Sequence, residues 1–153
     1  MILQLEYTKR LERLLGDYMK DVIEFIKDNN IGKFDEDVNL KKHCTYKVGG
    51  TCKVMVYPKD TKKLVSLLKY LKANKVLYRV IGKGSNILFS NKEYNGVLIK
   101  LDEFNDCDFY GRNNTKVKVG AGYSLLKLSL MAAKKGLTGL EFASGIPGSV
   151  GGA

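Results

Sequence analysis

Val80-Ile81-Gly82-Lys83-Gly84-Ser85-Asn86-Ile87-Leu88 is the stretch on which the reading of this chain turns. An apolar run stops at a loop of two glycines, a lysine, a serine and an asparagine, and apolar residues resume behind it. Backbone without a Cβ can come close to a phosphate and aim several N–H groups at it, and Ser85 and Asn86 add side-chain donors. The P-loop frame G-x-x-x-x-G-K-[ST] is missing. The dinucleotide fingerprint fails too, because Ile87 stands at the third glycine position and no helix opens there. Taken alone, the loop is equally a plain tight turn.

Working outward, the flanks alternate strand and helix patterns. Cys52–Tyr57 reads as a strand ended by Pro58. Asp60 or Thr61 caps a helix with Leu64, Leu67, Leu68 and Leu71 on one face. Val76–Ile81 is the next strand, Ile87–Phe89 is again apolar, and Asn95-Gly96 is expected to turn the chain into strand Val97–Leu101. Upstream, Phe34–Lys42 is expected to be a loop and Cys44–Gly50 strand-like. Leu11, Leu14, Leu15, Tyr18, Met19, Val22 and Ile26 form a helical stripe weakened by Gly16 and ended by Gly32 as a left-handed cap. Downstream, Asp106–Tyr110 and Thr115–Gly120 form a hairpin around Gly111-Arg112-Asn113-Asn114. Ser124 caps a helix to Lys135 that Gly136 closes. The pattern predicts an α+β fold with an N-terminal amphipathic helix (1–33), a β-α-β-β unit (34–104) and a second unit beginning at 105–153.

A second glycine-rich stretch, Gly145-Ile146-Pro147-Gly148-Ser149-Val150-Gly151-Gly152, follows. Six glycines fall from Gly136 to Gly152, and Pro147 fixes the chain direction. Leu140, Phe142 and Ile146 are expected to pack, which argues for a ligand-cradling loop over a linker. Two such loops suggest an extended, phosphate-bearing ligand held from both sides.

Composition narrows the class. Of 153 residues, 44% are apolar and 10% aromatic, enough to build a core. No apolar run approaches the ~18–20 residues that span a bilayer. The opening Met1-Ile2-Leu3-Gln4-Leu5-Glu6 meets an acid before any hydrophobic region builds, so a cytoplasmic location is expected, without membrane partners. The formal net charge is +10. That invites a nucleic-acid reading, but the basic residues are mostly dispersed lysines, and helix-turn-helix, zinc-finger and aromatic-sheet signatures are missing. An anionic small molecule suits the same sign of charge. Cys44, Cys52 and Cys107 are odd in number and lack C-x-x-C spacing, so reduced structural thiols and no metal site are expected. His43, the single histidine, reads as a surface or packing residue.

Read in order, Thr45-Tyr46-Lys47-Val48-Gly49-Gly50, Val80 to Leu88, Gly96-Val97-Leu98-Ile99, Gly120-Ala121-Gly122 and Gly136 to Ala153 resemble the MurB family, the UDP-N-acetylenolpyruvoylglucosamine reductases, also called UDP-N-acetylmuramate dehydrogenases. The resemblance covers about Asn39 to Ala153. It implies the FAD-binding α+β fold of the vanillyl-alcohol-oxidase (PCMH) type, two subdomains with FAD between them. Gly82, Lys83, Gly84, Ser85 and Asn86, with Ile87 beside them, would hold the FAD pyrophosphate. Gly145, Ile146, Pro147, Gly148, Ser149, Gly151 and Gly152 would line the flavin side. On this resemblance Gly84→Val should block FAD and leave the fold intact. The family reduces the enolpyruvyl double bond of a UDP-sugar with a hydride passed from NADPH through FAD, in peptidoglycan synthesis.

The family's catalytic serine, glutamate and arginine and its substrate domain belong to segments beyond Ala153. None of Ser144, Ser149, Glu141 or Arg112 is carried over, so no catalytic residue is assigned. The chain is expected to be an inactive fragment whose last loop frays. The alternatives are another FAD-dependent oxidoreductase of this fold, such as a sugar or alcohol oxidase, or a basic nucleic-acid-binding module.

Overall fold

The computed structural model describes residues 18–153. Of the expected N-terminal stripe, Leu11, Leu14, Leu15 and Gly16 lie outside them. Helix α1 covers 18–28 of the described residues. Strands β1 (Gly32–Asn39) and β2 (Thr51–Pro58), helix α2 (Thr61–Ala73) and strands β3 (Tyr78–Ile81) and β4 (Tyr94–Lys100) follow. Hairpin β5 (Cys107–Tyr110) and β6 (Lys116–Val119) comes next, then helix α3 (Leu125–Lys134). The first four strands form one sheet in the order β1-β2-β4-β3, and β5-β6 form another. β4 runs parallel to both β2 and β3, while β1 is antiparallel to β2.

A sheet buried on both faces explains the unbroken apolar runs in β2 and β4. Val54, Val56, Val97 and Ile99 point to one face, where Met19, Val22 and Ile26 of α1 and Leu67 and Leu71 of α2 cover them. Met55, Leu98, Ile81 and Cys52 point to the other, beneath Leu40 and the half-buried Ile87 and Phe89. Asp60, not Thr61, caps α2: its Oδ1 accepts from the Lys63 amide at 2.8 Å. Ser124 caps α3 as expected, accepting from the Lys127 amide at 3.3 Å. Gly136, at φ +71°, closes that helix.

Four local expectations are corrected. Phe34–Lys42 is not a loop; most of it is β1. Its Asp35, Glu36, Asp37 and Asn39 disfavour strand by propensity, but an edge strand with one exposed side tolerates charge. Cys44–Gly50 is a turn rather than a strand. Its amides and carbonyls bind neighbouring loops: Thr45 N–H donates to Gly84 O at 3.0 Å and Gly50 N–H to Ser90 O at 2.8 Å. Asn95-Gly96 lies inside β4, where Gly96 lets the carbonyl of Leu77 approach to bond Val97 N–H at 2.9 Å.

The cap of α1 is Asn30, not Gly32. Asn30 takes φ +46°. Its N–H donates to Lys27 O at 3.0 Å, and Ile31 N–H reaches Ile26 O at 3.0 Å. This is a Schellman closure with Ile31 packed on Ile26, both buried. Gly32 already belongs to β1. Asn30→Gly should therefore be tolerated, whereas Asn30→Val should lower stability by about 1–2 kcal/mol through the left-handed backbone cost. Urea denaturation of the two variants checks the assignment.

Candidate functional site

Parallel strands release their chains at one edge of a sheet, and ligands of open α/β sheets sit outside those carboxyl ends. The loop from Gly82 leaves β3 there, and the segment from Leu101 leaves the neighbouring β4. The connection 101–106 is clamped to the segment that follows β6. Gly122 N–H donates to Phe104 O at 2.9 Å, and Gly120 N–H to Asp106 O at 2.9 Å. The segment Gly148–Gly151 lies alongside Ala121–Leu125. Leu125 N–H donates to Gly148 O, Val150 N–H to Tyr123 O at 2.9 Å and Gly151 N–H to Ala121 O at 2.8 Å. The last glycine loop is thus tied into the second unit by backbone bonds rather than frayed.

Between these walls runs a crevice with two cavities that share Asp102 and Gly122. One, about 290 Å³, meets Val80, Ile81, Ile87 and Leu101 on its apolar side and Gly82, Ser149, Gly151 and Gly152 on its backbone side. The other, about 430 Å³, meets Lys83, Lys100, Asn105, Tyr123, Ser124 and Lys127.

The structure gathers some of the expected residues and leaves others apart. Gly82, Lys83, Ile87, Ser149, Gly151 and Gly152 line the crevice. The two loops touch: a Cβ on Gly82 would stand 2.7 Å from Ser149 Oγ, and one on Gly148 would stand 3.5 Å from Ser85 Oγ. Asn86 is exposed, and Gly145, Ile146 and Pro147 are exposed and line neither cavity. Phe142, expected to pack, is 70% exposed. Gly84 is buried at the back of its loop, with φ +73°. A Cβ there would meet His43 O at 1.9 Å. Gly84 is therefore required by the packing of its loop on His43 and Cys44, which corrects the expectation that its substitution would spare the fold.

Sequence reasoning missed the rest of the lining: Lys100, Asp102 and Asn105 at and beyond the end of β4, and Lys127 on α3. Gly120-Ala121-Gly122 was the available signal. A Cβ on Gly122 would lie 1.9 Å from Leu101 O, so the glycine marks where the segment after β6 meets the segment after β4. Lys100 Nζ pairs with Asp102 Oδ2 at 3.4 Å. His43 lies near that pair, and its pKa is held below 6.5 first by desolvation and then by the charge of Lys100. The Cys52 thiol is pushed up by burial, as suits a reduced core residue. Cys44, Cys52 and Cys107 are all free.

FAD can be tested against these residues. The amides of Lys83, Gly84, Ser85 and Asn86 have no acceptor among the described residues, so the loop holds N–H donors unspent by the fold. A Cβ at Gly82 would close the gap beside Ser149. A phosphate-bearing ligand fits both observations.

Comparison with known proteins agrees. A family model described as FAD binding domain matches residues 52–153, and the chain belongs to that family. Within it, the chain is similar to the FAD-binding part of UDP-N-acetylenolpyruvoylglucosamine reductases (MurB). The reductase of Halalkalibacterium halodurans is 42% identical over 135 residues, covering 88% of this chain and 44% of that protein. The Bacillus licheniformis reductase is 43% identical over the same shares. The chain thus spans less than half the length of the curated relatives it matches. The crystal structure of MurB from Thermus caldophilus superposes with a TM-score of 0.58 at 35% identity, covering 79% of this chain and 40% of that one. A 6-hydroxy-D-nicotine oxidase from Arthrobacter nicotinovorans, with a TM-score of 0.50 at 14% identity over 69% of this chain and 24% of its own, shares the fold alone. The fold is the α+β FAD-binding fold of the vanillyl-alcohol-oxidase type, with a helix ahead of it.

Gly84→Val should lower the melting temperature sharply, whereas Gly82→Ala, which meets only a movable serine hydroxyl, should keep the fold and weaken ligand binding. Thermal melts with and without FAD separate the two. A second expectation concerns pH. Because folding holds the His43 pKa below 6.5, the unfolded chain protonates first as pH falls. Stability should be unaffected by this group above about pH 6.5 and decline below it, until the folded pKa is passed. His43→Gln should flatten that part of a denaturation profile measured between about pH 5 and 7.

Proposed function

We propose that the crevice seats FAD, with the Gly82–Asn86 loop giving amides to the pyrophosphate and the Ser149–Gly152 segment lining the ligand from the second unit. The observation that carries this reading is the convergence of both glycine loops on one crevice, with the Lys83–Asn86 amides free to donate. Gly145, Ile146 and Pro147, whose exposed positions are outside the crevice, are taken as the part of the second loop that faces whatever covers the flavin. We divide the chain into a helix-led first unit ending near 104 and a second unit from 105.

The relatives' name supplies the wider reading. On that reading the activity served would be reduction of the enolpyruvyl group of UDP-N-acetylglucosamine enolpyruvate to UDP-N-acetylmuramate, in the cytoplasm, for peptidoglycan synthesis. A flavin held there would supply hydride-transfer chemistry, with NADPH as the co-substrate. This chain's own residues hold and orient the dinucleotide. Gly82 and Ser149 leave room for it, the free amides and the crevice lysines balance its negative charge, and Val80, Ile81 and Leu101 keep water from one side of it. Orientation matters because a misplacement of ~1 Å can cost about 100-fold in rate. No catalytic side chain is assigned within this chain.

Titration of FAD into the purified 153-residue chain tests the reading. Saturable quenching of flavin fluorescence is expected, together with a rise in melting temperature that grows with FAD concentration. Unquenched fluorescence and an unchanged melt at high FAD would overturn it. Duplex DNA should bind weakly, with none of the steep salt dependence of a dedicated nucleic-acid protein.

A further inference from the structure

We propose that Lys100, on the strand beside the glycine loop, and Lys127, on α3, form with Lys83 the subsite that neutralises the dinucleotide's diphosphate. The inference rests on the FAD reading and deepens it, because the glycine loop alone offers neutral donors and one lysine.

Three lysines and one carboxylate, Asp102, line the 430 Å³ cavity. Lys100 is only 9% exposed, one of the few buried charged or polar residues. An ammonium this enclosed needs a counter-charge. Asp102 provides one at 3.4 Å, but its own side chain is 45% exposed and reaches both halves of the crevice. The cavity is left with two surplus positive charges. The diphosphate bridge of a dinucleotide carries about two negative charges, one on each phosphoryl group.

The amino end of α3 adds to this field. Ser124 and Lys127 line the cavity, and the first turn of that ten-residue helix carries no acidic residue. Its partial positive charge points the same way as the lysines. The crevice is therefore polarised. One half is walled by Val80, Ile81 and Leu101 and suits a flat ring; the other is cationic and suits phosphates. That division fixes how a nucleotide can lie. Lysines act here as point charges rather than planar forks, so the subsite should read charge and be salt-sensitive.

Isothermal titration of ADP, adenosine and FAD into the wild-type chain and into Lys127→Met, Lys127→Arg and Lys100→Met tests the assignment. Lys127 is exposed, so its variants keep the fold even where Lys100→Met fails to. Lys127→Met should weaken FAD and ADP about ten-fold, the loss of one charge-assisted contact, and leave adenosine unchanged. Lys127→Arg should restore the affinity. The slope of log Kd against log salt should be shallower in the methionine variant. If wild type binds FAD while Lys127→Met binds FAD and ADP with unchanged affinity and slope, the subsite is wrong and the FAD reading stands. If adenosine weakens as much as ADP, the effect is structural and the assignment fails. If wild type binds neither FAD nor ADP, the FAD reading falls and this inference with it.

Discussion

Backbone meets backbone where the two sheets join, and the crevice exists because of that contact. A Cβ on Gly122 would stand 1.9 Å from Leu101 O, and one on Gly120 would stand 2.1 Å from Phe104 O. No side chain can be inserted there without driving the units apart. Glycine at both positions lets the amides of 120 and 122 bond the carbonyls of 106 and 104, a short clamp that replaces a packed interface. The same device recurs at Gly84 against His43 O and at Gly151 against Ala121. Glycine in this chain does two jobs. Some of it joins loops to their support, and some of it, at Gly82 and Gly152, keeps the crevice open.

Above that clamp the electrostatics follow from strand register. Val56 pairs with Ile99, which brings Tyr57 and Lys100 side by side at the carboxyl end of the parallel pair. Asp35 on the neighbouring edge strand approaches Tyr57, and Asp102 follows β4. Burial first, then the charge and hydrogen bond of Asp35, push the Tyr57 hydroxyl up to about 12. The sheet face that is apolar at Met55 and Leu98 thus ends in a polar cluster of Asp35, His43, Tyr57, Lys100 and Asp102. One strand, β4, supplies both the core and the cation of the candidate anion subsite.

Apart from β3, β4 and the half-buried Ile87, which serve both, the core and the crevice draw on separate parts of the chain. Helices α1 and α2 cover one sheet face with Ile26, Leu67 and Leu71, all essentially inaccessible. The crevice walls combine the ends of β3 and β4 and the start of α3 with loops whose backbone bonds run to other loops. Local opening there costs less than unfolding the sheet, so ligand-bound and ligand-free chains should differ mainly in these segments.

The order of elements was legible in the residues. Continuous apolar runs in β2 and β4, the helical spacing of Leu64, Leu67, Leu68 and Leu71, and the caps at Asp60 and Ser124 each carry a local signal, because propensity and capping depend on near neighbours. The glycine loops were legible as ligand-like for the same reason. Tertiary structure alone decided which glycines face the crevice and which face protein, since Gly82 and Gly84 are alike in sequence and differ only in what stands next to them. It also decided that acidic Phe34–Asn39 is an edge strand, because pairing with β2 outweighs propensity. The lysine wall was hidden altogether: Lys83, Lys100 and Lys127 lie in three separate segments, and only a fold that brings β3, β4 and α3 to one crevice makes their charges act on the same point.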